Sequence, residues 1–231
     1  MPTVKQFLTM KIDDVVDLSV VVGAGTQVYP GDPPVELAPH ATIERDGFNL
    51  LSVHMGSQTG THVDAPYHFV ATAKRIDELL LERFVGTGVI VDATGLGPRG
   101  RITWKHVEPV EHLLAPGVIV LLKTGWSAHY GTRAYFDNPY LDAGACHRMI
   151  DAGVRTFGID AISIDETPDA GHPGEGFPVH HLIAAVDGII CENLTALASV
   201  DFDDPFISLL PLAFEGADGA PVRAVALRVR S

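Results

Sequence analysis

Two apolar runs, 118-VIVLL-122 and 154-VRTFGI-159, decide the fold class. Each is short and rich in β-branched or apolar residues, and Gly, Pro or Asp stands beside it, which predicts a strand that ends in a turn. Because both are nearly all apolar, we expect them to be buried on both faces, as in sheets that helices cover. The two runs therefore predict an α/β fold with a mixed β-sheet and flanking helices.

Similar patterns recur along the chain. Further strands are predicted over residues 15–22, 88–91, 188–191, 207–210 and 222–229. Helices are predicted over residues 74–84, 103–114, 141–152 and 179–186, from apolar spacing or a suitable first residue. The Gly- and Pro-rich stretch 165–178 is interpreted as a functional loop rather than a domain boundary, because similar patterns resume directly after it. We therefore expect a single domain over residues 1–231.

The composition excludes several classes of protein. The 231 residues are 46% hydrophobic, which excludes a disordered chain. The formal net charge of −13 argues against binding nucleic acid or an anionic membrane surface, since both need Lys and Arg. Two cysteines, Cys146 and Cys191, are too few for a disulfide framework and are interpreted as reduced thiols. With no signal-peptide pattern and no membrane-length apolar run, we expect a cytoplasmic protein.

The densest run of polar ligands is 58-QTGTHVDAPYH-68. In an extended strand alternate residues share a face, so Gln58, Gly60, His62 and Asp64 are expected to point the same way, with Gly60 leaving room for an ion. A turn can then bring His68 back towards them. Imidazole nitrogen and carboxylate oxygen are common ligands of Zn²⁺ and Mn²⁺. The alternative is a polar strand edge with solvated histidines; His-x-Asp alone occurs by chance, whereas the whole string is more specific.

This string resembles the signature of the cyclase family, which includes bacterial kynurenine formamidases and isatin hydrolases: His-x-Gly-Thr-His-x-Asp-x-Pro-x-His. The chain matches every named position except the first, where Gln58 replaces His. Similar blocks extend the resemblance over most of the chain, namely 17-DLS-19, 29-YPGD-32, 124-TGW-126, 158-GIDA-161 and residues 180–194. The resemblance implies a single domain of the swivelling β/β/α type, and a homodimer or homotetramer.

The resemblance also implies roles for individual residues. His62 and Asp64 would be metal ligands, and Gln58 would offer a neutral carbonyl at a third ligand position. His68 would be the proton acceptor and donor, and Tyr29 would lie against the substrate, where the formamidases have Trp.

A later His and Glu, twelve residues apart, complete the metal site in the formamidases. His180 and Glu192 have this spacing here, and His181 is the neighbouring candidate. Glu192 is also the one carboxylate in the apolar run 188-GIICENL-194, where a buried Glu is costly unless it is paired or binds a metal. Asp160 and Asp165 follow an apolar strand and are interpreted as turn-forming residues.

The leading hypothesis is a metal-dependent hydrolase that cleaves a small amide or lactam, such as an N-formyl aryl amine or an isatin-like ring. The attack would come from metal-bound hydroxide at one or two Zn²⁺ or Mn²⁺ ions. Kynurenine formamidase activity itself is one alternative, although Gln58 and Tyr29 depart from that subgroup. A metal-dependent cyclase or lyase is another, and a metal-binding protein without turnover is a third.

Overall fold

The computed structural model describes residues 11–230 and contains one large sheet, two small sheets and four short α-helices in that range. Residues 1–10 and Ser231 lie outside the described residues. The expectation that the N-terminus carries no signal peptide therefore falls mostly on residues that the structure does not describe. The strands are β1 (Lys11–Asp17), β2 (Glu36–Ala41), β3 (Leu50–His54), β4 (His62–Asp64), β5 (Val85–Asp92), β6 (Arg101–Ile102), β7 (Ile119–Lys123), β8 (Tyr140–Leu141), β9 (Thr156–Ile159), β10 (Ile189–Glu192), β11 (Phe206–Ser208), β12 (Gly219–Pro221) and β13 (Val225–Arg230). The helices are α1 (Ile43–Asp46), α2 (Trp104–Val107), α3 (Ala143–Asp151) and α4 (Pro178–Ala184).

The nine-stranded sheet has the order β1-β13-β11-β5-β7-β9-β10-β4-β12. Strands β5, β7, β9 and β10 run parallel to one another, and antiparallel strands extend the sheet on both sides. The α/β prediction with a mixed sheet is therefore confirmed. The parallel centre places the carboxyl ends of β7, β9 and β10 along one edge.

Strand β7 shows why its sequence is apolar throughout. Val120 and Leu122 belong to the core cluster that also contains Met149 of α3 and Ile183 of α4. The alternate residues Ile119 and Leu121 are buried in a second cluster on the other face of the sheet. A strand that is covered on both faces needs apolar side chains at every position.

Two of the predicted helices are confirmed and the others differ from the prediction. The patterns at 141–152 and 179–186 form α3 and α4. The single helix expected over 74–84 is wrong, because the chain forms two 3₁₀ turns, Ile76–Glu78 and Leu81–Arg83, separated by extended residues. These turns bury Ile76, Leu79 and Phe84 without a helix, leave Leu80 exposed, and lead straight into β5. The pattern at 103–114 forms the short α2, followed by a 3₁₀ segment.

The strand predicted over 15–22 ends early, at Asp17. The Asp17 carboxylate accepts a hydrogen bond from the Ser19 backbone N–H and forms an ion pair with Arg223. This local turn takes the chain away from the sheet edge.

A hairpin formed by β2 and β3 projects from the body of the chain. Its strands pair with each other and with no other strand in residues 11–230. The apolar side chains of Leu50, Leu51 and Val53 remain about half exposed. No helix in the described range has the length and apolar character needed to cross a membrane.

Candidate metal centre and active site

Strand β4 brings the signature residues to the centre of the molecule. It lies between β10 and β12, and its register sets His62 opposite Glu192. His62 and Asp64, two residues apart, share one face of β4. His180 reaches the same place from the first turns of α4. The four side chains, each about 95% buried, therefore come from three separate elements and form one polar group inside an apolar core.

Ligand atoms of His62, Asp64 and Glu192 all lie within 4.8 Å of one another, close enough to hold one metal ion, and His180 lies against the same two carboxylates. His62 Nε2 lies 3.3 Å from Asp64 Oδ1 and 3.7 Å from Glu192 Oε2. His180 Nε2 lies 3.5 Å from Asp64 Oδ2 and 3.3 Å from Glu192 Oε1. Tetrahedral bonds of about 2.0–2.1 Å place neighbouring ligand atoms about 3.3 Å apart. Both oxygens of Asp64 are buried and lack a hydrogen-bond partner within residues 11–230. The buried group therefore fits a divalent metal.

Each imidazole is oriented through its Nδ1 atom. The Nδ1 atom of His62 lies 2.9 Å from the Gly60 carbonyl oxygen, and that of His180 lies 2.7 Å from Asp165 Oδ2. An N–H at Nδ1 satisfies both contacts and leaves Nε2 with its lone pair facing the carboxylates. Asp165 also accepts the backbone N–H groups of Val179 and His180. Its interpretation as only a turn-forming residue is therefore wrong, because it positions a candidate ligand.

The electrostatics of the group favour a bound cation. Burial opposes protonation of His62, yet the Asp64 and Glu192 carboxylates outweigh it and raise its pKa to about 9. Burial likewise opposes protonation of His180, but Asp165, Asp64 and Glu192 raise its pKa well above the usual value. Carboxylates that stabilise protonated histidines this strongly also attract a divalent ion, because either a proton or the ion compensates their buried negative charge.

Gln58 lies beside this group but not on the same strand. The expectation of one extended segment from Gln58 to Asp64 is wrong, because Gly60 adopts a left-handed conformation with φ of +66°. A Cβ atom at Gly60 would lie 2.8 Å from Val22 Cγ2, so the missing side chain makes room for Val22 rather than for an ion. Gln58 nevertheless lines the same cavity as His62 and Asp64.

His68 is held at the mouth of the cavity by a residue that the sequence patterns did not single out. The 3₁₀ turn Pro66–His68 follows β4 and turns the chain back, as expected. The Nδ1 atom of His68 lies 3.0 Å from Asp218 Oδ2. The His68 contact, with help from Gln58 and Ser57, holds the pKa of the Asp218 carboxyl well below its usual range. Asp218 is 150 positions away in sequence, so only the pairing of β12 with β4 brings it here.

The cavity beside the ligands has a volume of about 410 Å³ and combines polar and aromatic walls. Tyr29, Phe69 and Phe177 form its aromatic part, and the Phe69 and Phe177 ring centroids are 5.5 Å apart. Burial, with a smaller contribution from Glu192, raises the pKa of Tyr29 to about 12. The Tyr29 hydroxyl therefore remains a hydrogen-bond donor at neutral pH. A cavity of this size and character is typical of small-molecule sites.

The remaining candidates lie outside the cavity or serve the fold. His181, the alternative to His180, is exposed. Asp160 accepts the backbone N–H groups of Thr124 and Gly125, so it ties the end of β9 to the chain after β7 rather than only forming its own turn. The loop 165–178 is tied down by Arg99, whose guanidinium contacts Asp137, Glu166 and Asp169. That loop contributes Phe177 to the cavity wall.

Comparisons with known proteins show the family to which this chain is related. The family described as "Putative cyclase" matches residues 16–166. A kynurenine formamidase of Bacillus mycoides (strain KBAB4) is 32% identical over 220 residues, which cover 94% of this chain and 98% of that protein.

Two solved structures are similar over nearly the whole chain. An isatin hydrolase bound to the product analogue thioisatinate superposes with a TM-score of 0.84 at 22% identity, over 94% of this chain and 93% of that one, and shows the same fold. A structure described as a potential metal-dependent hydrolase with cyclase activity has a TM-score of 0.75 and 27% identity, covering 95% and 98% of the two chains. On the family match and the extent of its sequence similarity to the formamidase, the chain belongs to the cyclase family.

Proposed function

We propose that this protein is a metal-dependent hydrolase that cleaves the C–N bond of a small amide or lactam, of the N-formyl aryl amine or isatin-like kind. The observation that carries the proposal is the buried group of His62, Asp64 and Glu192, whose ligand atoms lie within 4.8 Å of one another, with His180 against both carboxylates, beside a partly aromatic cavity. The similarity to kynurenine formamidases over 94% of the chain supports the reaction class.

The roles of individual residues follow from their positions. His62, Asp64 and Glu192 would hold the ion, with His180 as a further ligand against the two carboxylates, and Gln58 would offer a neutral oxygen from the same cavity. A divalent ion in such a site supplies Lewis acidity towards water and the substrate carbonyl. His68 would take a proton from the attacking water at Nε2 and pass it to the leaving nitrogen, because Asp218 occupies its Nδ1 and leaves Nε2 free. Tyr29, with Phe69 and Phe177, holds the aromatic part of the substrate.

We assign Zn²⁺ or Mn²⁺ to the site, since imidazole and carboxylate ligands suit both ions. Asp64 and Glu192 each present one oxygen to His62 and the other to His180, so these residues would suit one ion or two. The carbonyl oxygen of Gln58 would be a weak ligand, so a second ion would bind less tightly than the first. Elemental analysis of the purified protein determines both the identity of the metal and the number of ions per chain.

A substrate panel tests the reaction. Metal-loaded protein is incubated with N-formylkynurenine, isatin and simple aryl amides, and the products are identified by mass. A hydrolase yields products that have gained one water, with activity on at least one amide or lactam. Turnover without gain of water would favour the cyclase or lyase alternative. Metal-loaded protein that hydrolyses no amide, lactam or ester would contradict the proposal.

We further propose that the protein acts in the cytoplasm as a homodimer or homotetramer. The two buried free thiols of Cys146 and Cys191 suit a reducing compartment. The β2–β3 hairpin supports self-association, because an isolated two-stranded hairpin is only marginally stable in water. Its half-exposed Leu51 and Val53 side chains offer an apolar surface that a second copy of this chain would cover.

A further inference from the structure

Three hydrogen-bond donors converge on the carboxylate of Asp218. Ser57 Oγ donates to Oδ1 at 2.8 Å, and Gln58 Nε2 donates to Oδ2 at 2.8 Å. His68 Nδ1 lies 3.0 Å from the same Oδ2 atom. The backbone of Asp218 is itself fixed, because its carbonyl accepts the N–H of Ala65 at 2.8 Å beside the β4–β12 pairing.

This arrangement determines which nitrogen of His68 carries the proton in the neutral ring. An ionised carboxylate only accepts hydrogen bonds, so the Nδ1 atom beside it must be the protonated one. Gln58 Nε2 lies 3.3 Å from the same Nδ1 atom, but both are donors and both turn to the carboxylate. Nε2 of His68 is then the nitrogen with a free lone pair.

The same carboxylate also determines which way the Gln58 amide faces. Because Asp218 binds the Nε2 end, the Oε1 end is turned away from the carboxylate. Oε1 is buried and has no hydrogen-bond partner among the described residues. Gly219 makes room for this amide, since a Cβ atom there would lie 2.6 Å from Nε2 and 2.9 Å from Oε1. A carbonyl oxygen can bind a metal ion, whereas an amide nitrogen that carries its protons cannot.

We propose that Asp218 is a positioning residue that sets two groups at once. It holds the Nδ1–H tautomer of His68, and it fixes the Gln58 amide so that the unpartnered Oε1 is the end left to bind a metal ion in the cavity that Gln58 shares with His62 and Asp64. The effect on turnover rests on the proposed hydrolase function, whereas the tautomer and the amide orientation do not. A histidine at position 58 would need no such orientation of an amide, so this use of Asp218 is tied to the glutamine of this chain.

The first test measures the tautomer directly in metal-free protein labelled with ¹⁵N-histidine. Spectra are recorded above the pKa of His68, and its signals are assigned by their loss in His68→Ala. We expect the Nδ1–H tautomer in the wild type and a shift towards Nε2–H in Asp218→Asn. Asp201→Asn, which removes an exposed carboxylate paired with Arg228, is the matched control and should leave the spectrum of His68 unchanged.

A wild-type His68 that carries its proton on Nε2 would overturn the proposal, as would an unchanged tautomer in Asp218→Asn. If that variant does not fold, the wild-type spectrum still decides. Since no substrate is present, the result stands apart from the success or failure of the hydrolase assignment.

The second test is a double-mutant cycle on Mn²⁺ affinity, with Asp218→Asn, Gln58→Ala and the double variant. Loss of a residue that orients a ligand typically weakens metal binding by about 10–100-fold. We expect Asp218→Asn to weaken Mn²⁺ binding by about 10-fold in the wild-type background and to have no further effect once Gln58 is removed. Losses that simply multiply in the double variant would show that Asp218 does not act through Gln58. An Asp218→Asn variant that binds Mn²⁺ as tightly as the wild type would also overturn the proposed role of Asp218 in orienting Gln58.

Discussion

Asp165 Oδ2 lies 2.7 Å from His180 Nδ1, and the same carboxylate accepts the backbone N–H groups of Val179 and His180. One buried side chain therefore starts helix α4 and aims the imidazole of that helix at Asp64 and Glu192. The stability of the helix start and the geometry of the metal centre depend on the same residue.

Replacement of Asp165 should affect both properties. We expect Asp165→Ala to weaken metal binding by about 10–100-fold, because His180 loses its orienting partner. It should also lower the free energy of unfolding by about 1–3 kcal/mol, because buried N–H groups lose their acceptor. Titration calorimetry with the metal and urea denaturation measure the two effects.

Asp142→Ala provides the matched control, because Asp142 accepts the N–H of Ala145 at the start of α3, away from the metal ligands. It should cost about 1 kcal/mol of unfolding free energy while the metal affinity stays the same. Equal metal affinities in the two variants would refute the role of Asp165.

Arg99 should control the mobility of the loop 165–178. Its side chain is only 11% exposed and donates to Glu166 and Asp169, as well as to the Thr167 carbonyl. We expect Arg99→Met to raise the hydrogen-exchange rate of the loop amides by at least about 10-fold, since such local openings carry low free energies once contacts are lost. KM should rise with it, because Phe177 of this loop lines the cavity.

Arg228→Met is the comparison for this effect, since Arg228 pairs with Asp201 on the surface. Exchange in the loop should match the wild type in that variant. A loop that exchanges equally slowly in Arg99→Met would show that other contacts hold it.

The thiol of Cys146 should make the fold more sensitive to alkali. Burial, with a smaller contribution from Asp165, raises the pKa of this thiol well above its usual range. The unfolded thiol ionises near pH 8.5–9, so above that pH the unfolded chain binds fewer protons than the native one. The unfolding free energy should therefore fall as pH rises above about 9. Urea denaturation of Cys146→Ala should show a shallower decline; identical pH profiles in the two proteins would contradict the assignment.

The exposed face of the hairpin should govern self-association. Leu51→Glu combined with Val53→Glu places two charges on one face of β3, and buried unpaired charges disfavour an interface. We expect light scattering to give two or four times the 24.7 kDa chain mass for the wild type and a smaller mass for the variant. Leu113→Glu, at another exposed leucine, serves as the control. A wild-type protein with the mass of one chain would contradict the proposed oligomer.

The sequence predicted those parts of the fold that depend on local pattern. The runs around Val120 and Phe157 indicated buried strands, because a strand covered on both faces must be apolar throughout. The helix over 74–84 could not be rejected in advance, since the two 3₁₀ turns and the residues beside them bury Ile76, Leu79 and Phe84, three of the four residues of the predicted stripe. The β2–β3 hairpin was missed because its apolar residues face outward rather than a core.

The site was predictable where its residues lie within one motif and less so elsewhere. His62, Asp64 and His68 stand in a single string, and the lone carboxylate in an apolar run indicated Glu192. Asp218 has no such signal, because its polar, glycine-containing surroundings are typical of any turn. Its contact with His68 depends on strand pairing across 150 positions, which local patterns do not encode.

The central claim, metal-dependent hydrolysis, is tested most directly by measuring the hydrolysis rate during a metal titration after chelation. The substrate is the amide or lactam that the panel identifies, and the proteins are the wild type, His62→Ala and His68→Ala. We expect the stripped wild type to be inactive and to recover with Zn²⁺ or Mn²⁺, and His62→Ala to retain no metal. His68→Ala should retain the metal and lose about 10²–10⁴-fold in kcat. Undiminished hydrolysis by wild-type protein whose metal has been removed would contradict the account.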